Sequence, residues 1–360
     1  MNNENRKIIF LFPLLIYLIS ALVGCTSSQE RCILVVHSYE ETYTAYPEFN
    51  RLIAKQFKKE GVNADIRTLY LDCESYKEET ELKRMRYLLD SVSGDWRPEV
   101  ILVNEDQATY SLMKCGVQLG KEVPVVFGGV NYPNWGLLKR HPNVTGFHDK
   151  IAFNENVSVA KELFGEHVRL FTMLDTTYID KQIRRDAKEQ FKGHKVTGFI
   201  DNPELSLEEQ IRLTQEEGYT RFMAIPLRNA RNHSDATFMW VLNRSYRDQC
   251  YIQLKRDYTT INIGSICGSP SLTAINEAFG FGEKLLGGYI TSLPIQVEEE
   301  VKAAVRILHG ASPADMPIVE SRKEYVVDWN TMTQIGLSKE SIPAKYRIIN
   351  IPFSDKYPLL

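Results

Sequence analysis

The stretch Ile33–Phe49, ILVVHSYEETYTAYPEF, decides the fold. Ile33 to Val36 form an unbroken apolar run, the pattern of a strand buried on both faces. His37, Ser38 and Tyr39 follow without a gap, so the strand runs straight into a ring nitrogen and hydroxyls, with carboxylates close behind. In an open α/β sheet the carboxyl ends of strands face the crevice where ligands bind. The stretch therefore reads as a core strand whose end lies at a ligand-facing edge, with a helix beginning near Pro47.

Working outward, short apolar runs alternate with amphipathic stretches. In YPEFNRLIAKQFKKEG, Phe49, Leu52, Ile53, Gln56 and Phe57 recur at helical spacing, and Gly61 is a stop signal. ADIRTLYLD reads as strand, KEETELKRMRYLLDSV as helix, PEVILVNED as strand, QATYSLMKCGVQLG as helix and VPVVFGGVN as strand. A second series follows Gly146. NENVSVAKELF reads as helix, VRLFTMLDTT as strand, IDKQIRRDAKEQF as helix and KVTGFID as strand. SLEEQIRLTQEEG reads as helix, RFMAIPLRN as strand, DATFMWVLNRSY (Asp235–Tyr246) as helix and TTINIGS as strand.

Such alternation makes a parallel sheet with helices on both faces. Its repetition predicts an α/β protein of two doubly wound parallel-sheet lobes. Periodicity weakens after Gly264; then come GGYITS, the helix IQVEEEVKAAVRILHG and a Pro-containing tail expected to pack back across both lobes. The lobes are expected at 31–148 plus 287–312 and at 149–286 plus 313–360.

Bulk composition narrows the function. A 360-residue chain with 43% hydrophobic and 25% charged residues is ordinary globular material. A formal charge of −3 carries no basic excess for nucleic acid. At the N-terminus, Arg6 and Lys7 precede an apolar run and then small residues, a secretory signal layout. Leu22-Val23-Gly24-Cys25 resembles the bacterial lipobox, which implies lipidation of Cys25 and a body held at a membrane outside the cytoplasm. A plain anchor helix with a chance cysteine is the competing reading. Cys32, Cys73, Cys115, Cys250 and Cys267 show no CxxC spacing, so no metal site is expected. Cys115 reads as a buried mid-helix residue, and Cys250 with Cys267 is the pairing to consider.

Polar residues recur at strand ends: His37-Ser38-Tyr39, Asn104-Glu105-Asp106, Gly128-Gly129-Val130-Asn131, Asp175-Thr176-Thr177 and Pro226-Leu227-Arg228-Asn229. If the lobes face each other, these loops converge on one cleft. The candidate ligand-binding residues are Ser38, Tyr39, Glu105, Asp106, Gly129, Asn131, Asp175, Thr176, Thr177 and Arg228. Single loops are polar without any ligand; only the shared placement argues for a site. Gly128-Gly129 serves either a close approach to a ligand or a turn with positive φ. Tyr39, Tyr43 and Tyr46 form either an aromatic wall or a staple for the following helix. Arg228 suits a ligand carboxylate or an interlobe ion pair.

Enzyme signatures fail. GSICGSPS lacks the nucleophile-elbow spacing, no Walker A loop or HExxH occurs, and FGFGEKLLGG has Leu285 where a dinucleotide loop needs glycine. His37, His148 and His233 are isolated, and Ser234 or Asp235 reads as a helix cap. A non-enzyme without cofactor is expected.

VPVVFGGVNYPNWGLL and NVTGF, followed by NENVSVAKELF, resemble the ABC-transporter substrate-binding family that includes aromatic-amino-acid-binding lipoproteins. There a PVVF strand leads to a V-x-x-P loop, an NVTG strand and a helix ending in KELF. The tail, with GGYITS, AAVRILHG and MPIVESRKEYVVDWNTMTQIGL, is similar to extracytoplasmic sensor domains that carry HSY after the first strand and often precede histidine kinases. The resemblance spans nearly all of residues 31–352. It implies a type I periplasmic-binding-protein fold with two lobes, three crossovers and a hinge. It also implies a small-molecule ligand, and an ABC permease or sensor kinase as partner. Asn131 departs from the acidic residue that transporter relatives often carry, and no hydrophobic run follows FSDKYPLL as in many sensor relatives.

Overall fold

The chain is described from a computed structural model. It describes residues 30–43, 46–73, 76, 78–92, 96–164, 168–173, 182, 185–186, 189–190, 236–241, 260–263, 283–334 and 337–352. The strands are β1 (Arg31–His37), β2 (Ala64–Tyr70), β3 (Val100–Asn104), β4 (Val125–Val130), β5 (Val144–His148) and β6 (Val168–Met173). They continue with β7 (Ala236–Val241), β8 (Thr260–Ile263), β9 (Glu283–Ile290), β10 (Val319–Glu320), β11 (Glu324–Asp328) and β12 (Arg347–Ile349). The helices are α1 (Tyr46–Lys59), α2 (Glu78–Ser91), α3 (Glu105–Lys114) and α4 (Gln118–Glu122). They continue with α5 (Trp135–Leu138), α6 (Phe153–Phe164), α7 (Leu293–Leu308) and α8 (Trp329–Gln334).

The first sheet runs β10-β5-β4-β3-β1-β2, and every pairing in it is parallel. Ile33–Val36 are wholly buried, as are β3 and β4, because all three strands lie inside the sheet with helices over them. In α1, Tyr46, Phe49, Ile53 and Phe57 are buried at helical spacing. Helix α7 packs against α1 and over β3, β4 and β5, burying Leu293, Val297, Val301 and Ala304. Each large aliphatic side chain buried there contributes roughly 1.5–3 kcal/mol. Helices α2 and α3 pack on each other, which right-handed crossovers place on the opposite face.

A second sheet runs β12-β11-β9-β8, with β9 and β11 antiparallel. Strands β6 and β7 pair in parallel, and β7 lies beside β8. Residues Ala236–Val241 were expected to be helical and are strand instead; Thr237, Phe238, Trp240 and Val241 are residues that fit a pleated surface. The tail does serve both sheets: β10 extends the first, while β11 and β12 extend the second. The expected boundaries shift accordingly. Gly287–Ile290 pair with β11 in the second sheet, and the segment returning to the first sheet is 293–320 rather than 287–312. The cause is hydrogen bonding in register, Gly287 opposite Val327 and Val319 opposite Phe147.

Among the described residues the chain passes between the sheets three times, at 149–152, at Thr291-Ser292 and at Ser321–Lys323. Two of these crossings leave from the carboxyl ends of β5 and β10. Among the described residues, no helix is long and apolar enough to cross a membrane. Cys32, Cys73 and Cys115 are free thiols; Cys115 caps the end of α3 rather than sitting within it.

Candidate functional site

The strand-end residues of the first sheet gather, but they turn inward. The Ser38 hydroxyl donates to the Asn104 carbonyl at 2.7 Å and accepts from the Ala108 N–H at 2.9 Å. Glu105 opens α3 with φ +66, in the left-handed region that side chains rarely adopt. Its carboxylate accepts from the Ser38 N–H at 3.2 Å and from the Tyr46 hydroxyl at 3.3 Å. Burial, with Asp106 adding to it, pushes the Glu105 pKa up to about 7, against the hydrogen bonds from Ser38 and Tyr46. Tyr39 is buried in ring contact with Tyr43, and Tyr43 with Tyr46, each at 4.9 Å. These tyrosines form one buried aromatic cluster at the start of α1, as the staple reading expects.

Behind this lies a chain of buried polar groups. His37 stacks on Tyr46 at 3.9 Å, and burial brings its pKa down to about 3, so it is neutral. Burial raises the Glu300 carboxyl well above the usual range, with Glu105 and Glu299 adding to it. The Asn104 amide lies between the Glu300 carboxyl and His37 Nδ1, 3.2 Å from the ring nitrogen. His37 Nε2–H then donates to Asn50 Oδ1 at 2.9 Å, and Asn50 to the Tyr70 hydroxyl at 3.1 Å. These buried groups are thus hydrogen-bonded to one another, as burial requires.

The glycine pair serves this packing. A Cβ on Gly128 would lie 1.6 Å from Glu300 Oε1, so α7 packs directly on bare backbone. Gly129 has φ +67 and faces Gln296, and so takes the turn conformation.

Asp106 and Asn131 connect the first sheet's loops to the crossings. Asp106 accepts from the backbone N–H of Asn131 at 2.9 Å and of Tyr132 at 3.3 Å. Burial raises its pKa to about 6. Asn131 Nδ2 donates to the Asp149 carbonyl at 2.8 Å. The Asp149 carboxylate accepts from the Thr291 hydroxyl at 2.9 Å and pairs with Lys323 at 3.2 Å. One carboxylate therefore joins all three crossings. Asn156, on α6, adds a paired contact, its amide accepting from Tyr289 N–H at 2.8 Å and donating to Tyr289 carbonyl at 3.0 Å.

Beside the crossings lies a cavity of about 490 Å³, lined among others by Lys150, Ile151, Glu155, Tyr289, Ser321 and Lys323. Gln190 closes one wall. It accepts from the first N–H groups of α6, Phe153 at 3.0 Å and Asn154 at 3.4 Å, and donates to the Ile151 carbonyl at 3.0 Å. Nearby, exposed Trp135 stands edge-on to His148 at 5.9 Å, and His148 Nδ1 is buried without a partner.

Of the candidates read from sequence, Ser38, Tyr39 and Glu105 form one cluster, and Asp106, Asn131 and Gly129 line the neighbouring loops. Cys25, Asp175, Thr176, Thr177 and Arg228 lie outside the described residues, as do Cys250, Cys267, His233, Ser234 and Asp235. Sequence reading missed Asp149, Thr291, Gln296, Glu300 and Lys323. Glu300 carried a faint signal: it falls on the buried face of a helix whose neighbours Val297, Val301 and Ala304 are apolar.

No protein-family model matches the chain, and no curated protein matches it. Solved structures do. A conserved domain protein from Vibrio cholerae O1 biovar El Tor aligns over 88% of this chain and 99% of its own, with 13% identity and a TM-score of 0.58. An ABC domain in complex with L-tryptophan from Streptococcus pneumoniae aligns over 88% of this chain and 99% of its own, with 16% identity and a TM-score of 0.57. With its parallel six-stranded sheet, second sheet and three crossings, the chain has the type I periplasmic-binding-protein fold.

Proposed function

We propose that the protein is an extracytoplasmic solute-binding protein, held at a membrane by lipid on Cys25, that captures a small molecule between its lobes for an ABC-type transporter. The observation that carries this reading is the ligand-facing edge. All strands of the first sheet are parallel, so their carboxyl ends emerge on the side where the crossings run. A solute bound at that edge contacts both lobes and favours their closure.

In this reading Ser38, Glu105, Asp106 and Asn131 set the shape of the wall, and Tyr39 and Gly129 lie in its loops. Asp175, Thr176, Thr177 and Arg228 supply contacts from the second lobe. The L-tryptophan in the Streptococcus pneumoniae structure makes amino acids the first solutes to try. A second reading is a sensory ligand-binding subunit acting through a membrane kinase, supported by HSY after β1 and by the sensor-like tail.

The test is mass spectrometry of small molecules that co-purify with the mature protein, followed by thermal shift on protein refolded to remove them. A ligand that binds only the folded state stabilises it by RT ln(1 + [L]/Kd), about 2.7 kcal/mol at a hundredfold excess over Kd. No shift with amino acids, peptides, sugars or nucleosides rejects the solute-binding reading. Chemical turnover of a bound solute would return the chain to the enzymes.

A further inference from the structure

The first sheet ends in two unlike edges. β10 is two residues long, Val319–Glu320, with Pro317 just before it. Short strands and prolines keep an edge from pairing with another chain. β2 has neither: it runs seven residues, Ala64–Tyr70, without proline and with unbroken register against β1. Two hydrogen bonds show which of its groups are free. The Arg31 N–H donates to the Asn63 carbonyl at 2.8 Å, and the Leu71 N–H to the His37 carbonyl at 2.9 Å. Backbone groups alternate in direction along a strand, so the odd-numbered residues of β2 serve β1 and the even-numbered ones point away from the sheet. The Tyr70 carbonyl is taken by Arg84 at 3.2 Å, which closes the edge at that end. Among the described residues, nothing bonds to the outward groups of Ala64, Ile66 and Thr68. The free run is therefore centred on Ile66, with opposite charges on either side of it, Asp65 and Arg67.

We infer that β2 pairs antiparallel with β2 of a second copy of the chain, about a two-fold axis at Ile66, joining two first sheets into one. In that register Ile66 exchanges both backbone hydrogen bonds with its counterpart, and Ala64 does so with Thr68 of the second copy. Asp65 then stands opposite Arg67 of the second copy, in a pair whose side chains lie close, and the axis repeats the pair. Both side chains are already positioned. Trp96 Nε1–H donates to Asp65 Oδ2 at 2.6 Å, and the Arg67 guanidinium lies over the Trp96 ring at 4.4 Å. Among the described residues neither has an ion-pair partner, and Arg67 is exposed. Like charges at 65 and 67 would repel across such an axis, whereas opposite charges make the edge complementary to itself. β2 is the edge away from β5 and β10, so the pairing leaves the crossings free. Two strands bury little surface, so the dimer is expected to be weak and to dissociate on dilution.

Sedimentation velocity of the mature protein in detergent, over a wide range of concentration, tests it. Wild type is expected to pass from monomer to dimer. Asp65→Arg and Arg67→Asp each put like charges across the axis and should raise the dimer dissociation constant at least tenfold. The double swap restores opposite charges and should recover the dimer. Asp65→Arg also removes the Trp96 contact, so Thr68→Pro serves as a second variant. The ladder to β1 does not use the outward N–H at 68, so the monomer keeps its fold, which circular dichroism checks, while strand addition is blocked. Mild oxidation of Ile66→Cys should join two copies through residue 66, since facing Cα atoms about 5.5 Å apart suit a disulfide. Peptide mass spectrometry identifies that link. A monomer at every concentration overturns the inference. So does a dimer that Thr68→Pro and both charge changes leave intact, which would place the contact on another surface. So does a dimer that the double swap fails to recover while Ile66→Cys gives no link through residue 66.

Discussion

Lys323 and Asp149 meet at 3.2 Å and tie the third crossing to the first. The Lys323 side chain is only 6% exposed. Burial alone would lower its pKa, but Asp149 and Glu320 outweigh burial and raise it, so it stays charged. Asp149→Asn keeps the shape and an acceptor for Thr291 but leaves the ammonium with Glu320 alone. The expected loss is roughly 1–3 kcal/mol, because a buried donor loses its charged partner while one remains. Urea unfolding should show a lower midpoint at unchanged slope. An unchanged midpoint would mean that the pair does not hold the crossings together.

Glu105 gives a pH signature. Burial raises its pKa from 4.5 to about 7, so the folded state holds the proton more tightly than the unfolded chain. Stability from this group is therefore present at low pH and is lost as pH rises from about 4.5 to about 7. His37 acts in the opposite sense, since its pKa falls from 6.5 to about 3 and stability from it is gained as pH rises through that window. Comparing Glu105→Gln with wild type at each pH cancels the His37 contribution. The variant should match wild type near pH 4 and exceed it by about 3 kcal/mol near pH 8. A constant difference across pH would show that Glu105 titrates as it does in the unfolded chain.

The glycine pair separates crowding from backbone strain. Gly128→Ala puts a methyl 1.6 Å from Glu300 Oε1, inside a buried network that also includes Gln296 and Asn104. Gly129→Ala meets Gln296 Nε2 at 3.1 Å, and its main cost is φ +67. The second change is expected to cost about 1–2 kcal/mol, and the first about 3 kcal/mol or more, because overpacking here displaces a helix. Melting curves for the two variants should keep that order; the reverse order would place Gly128 outside the packed interface with α7.

The fold was legible where periodicity is strong. Ile33–Val36 and the alternating series after it place four strands of the first sheet, because a strand buried on both faces leaves an unbroken apolar run. Ala236–Val241 was misread because a short apolar run satisfies helix and strand patterns alike, and pairing with β6 decides it. Of the candidate site, the strand-end positions were legible but not the direction of their side chains. Ser38, Glu105 and Asp106 look like ligand donors in sequence, yet loops packed beside each other use those groups to satisfy backbone N–H. Asp149 and Thr291 are 142 residues apart in loops without periodicity, so only the tertiary crossing brings them together.

The N-terminus makes the last prediction. Arg6 and Lys7, an apolar run, small residues and Cys25 form the layout of a signal segment that ends in a lipidated cysteine. A single acyl chain holds a protein only marginally, at about 10⁴ M⁻¹, whereas two or more anchor it stably. Wild type is therefore expected in the membrane fraction, released by detergent and not by high salt, with the mass of its N-terminal peptide raised by lipid. Cys25→Ala removes the thiol that would take the diacylglycerol. The variant body should then appear in the soluble extracytoplasmic fraction, or stay behind only as an unprocessed precursor. Peptide mass spectrometry distinguishes these two. If wild type itself carries an intact, unlipidated N-terminus, the segment is a plain anchor helix and the cysteine is incidental.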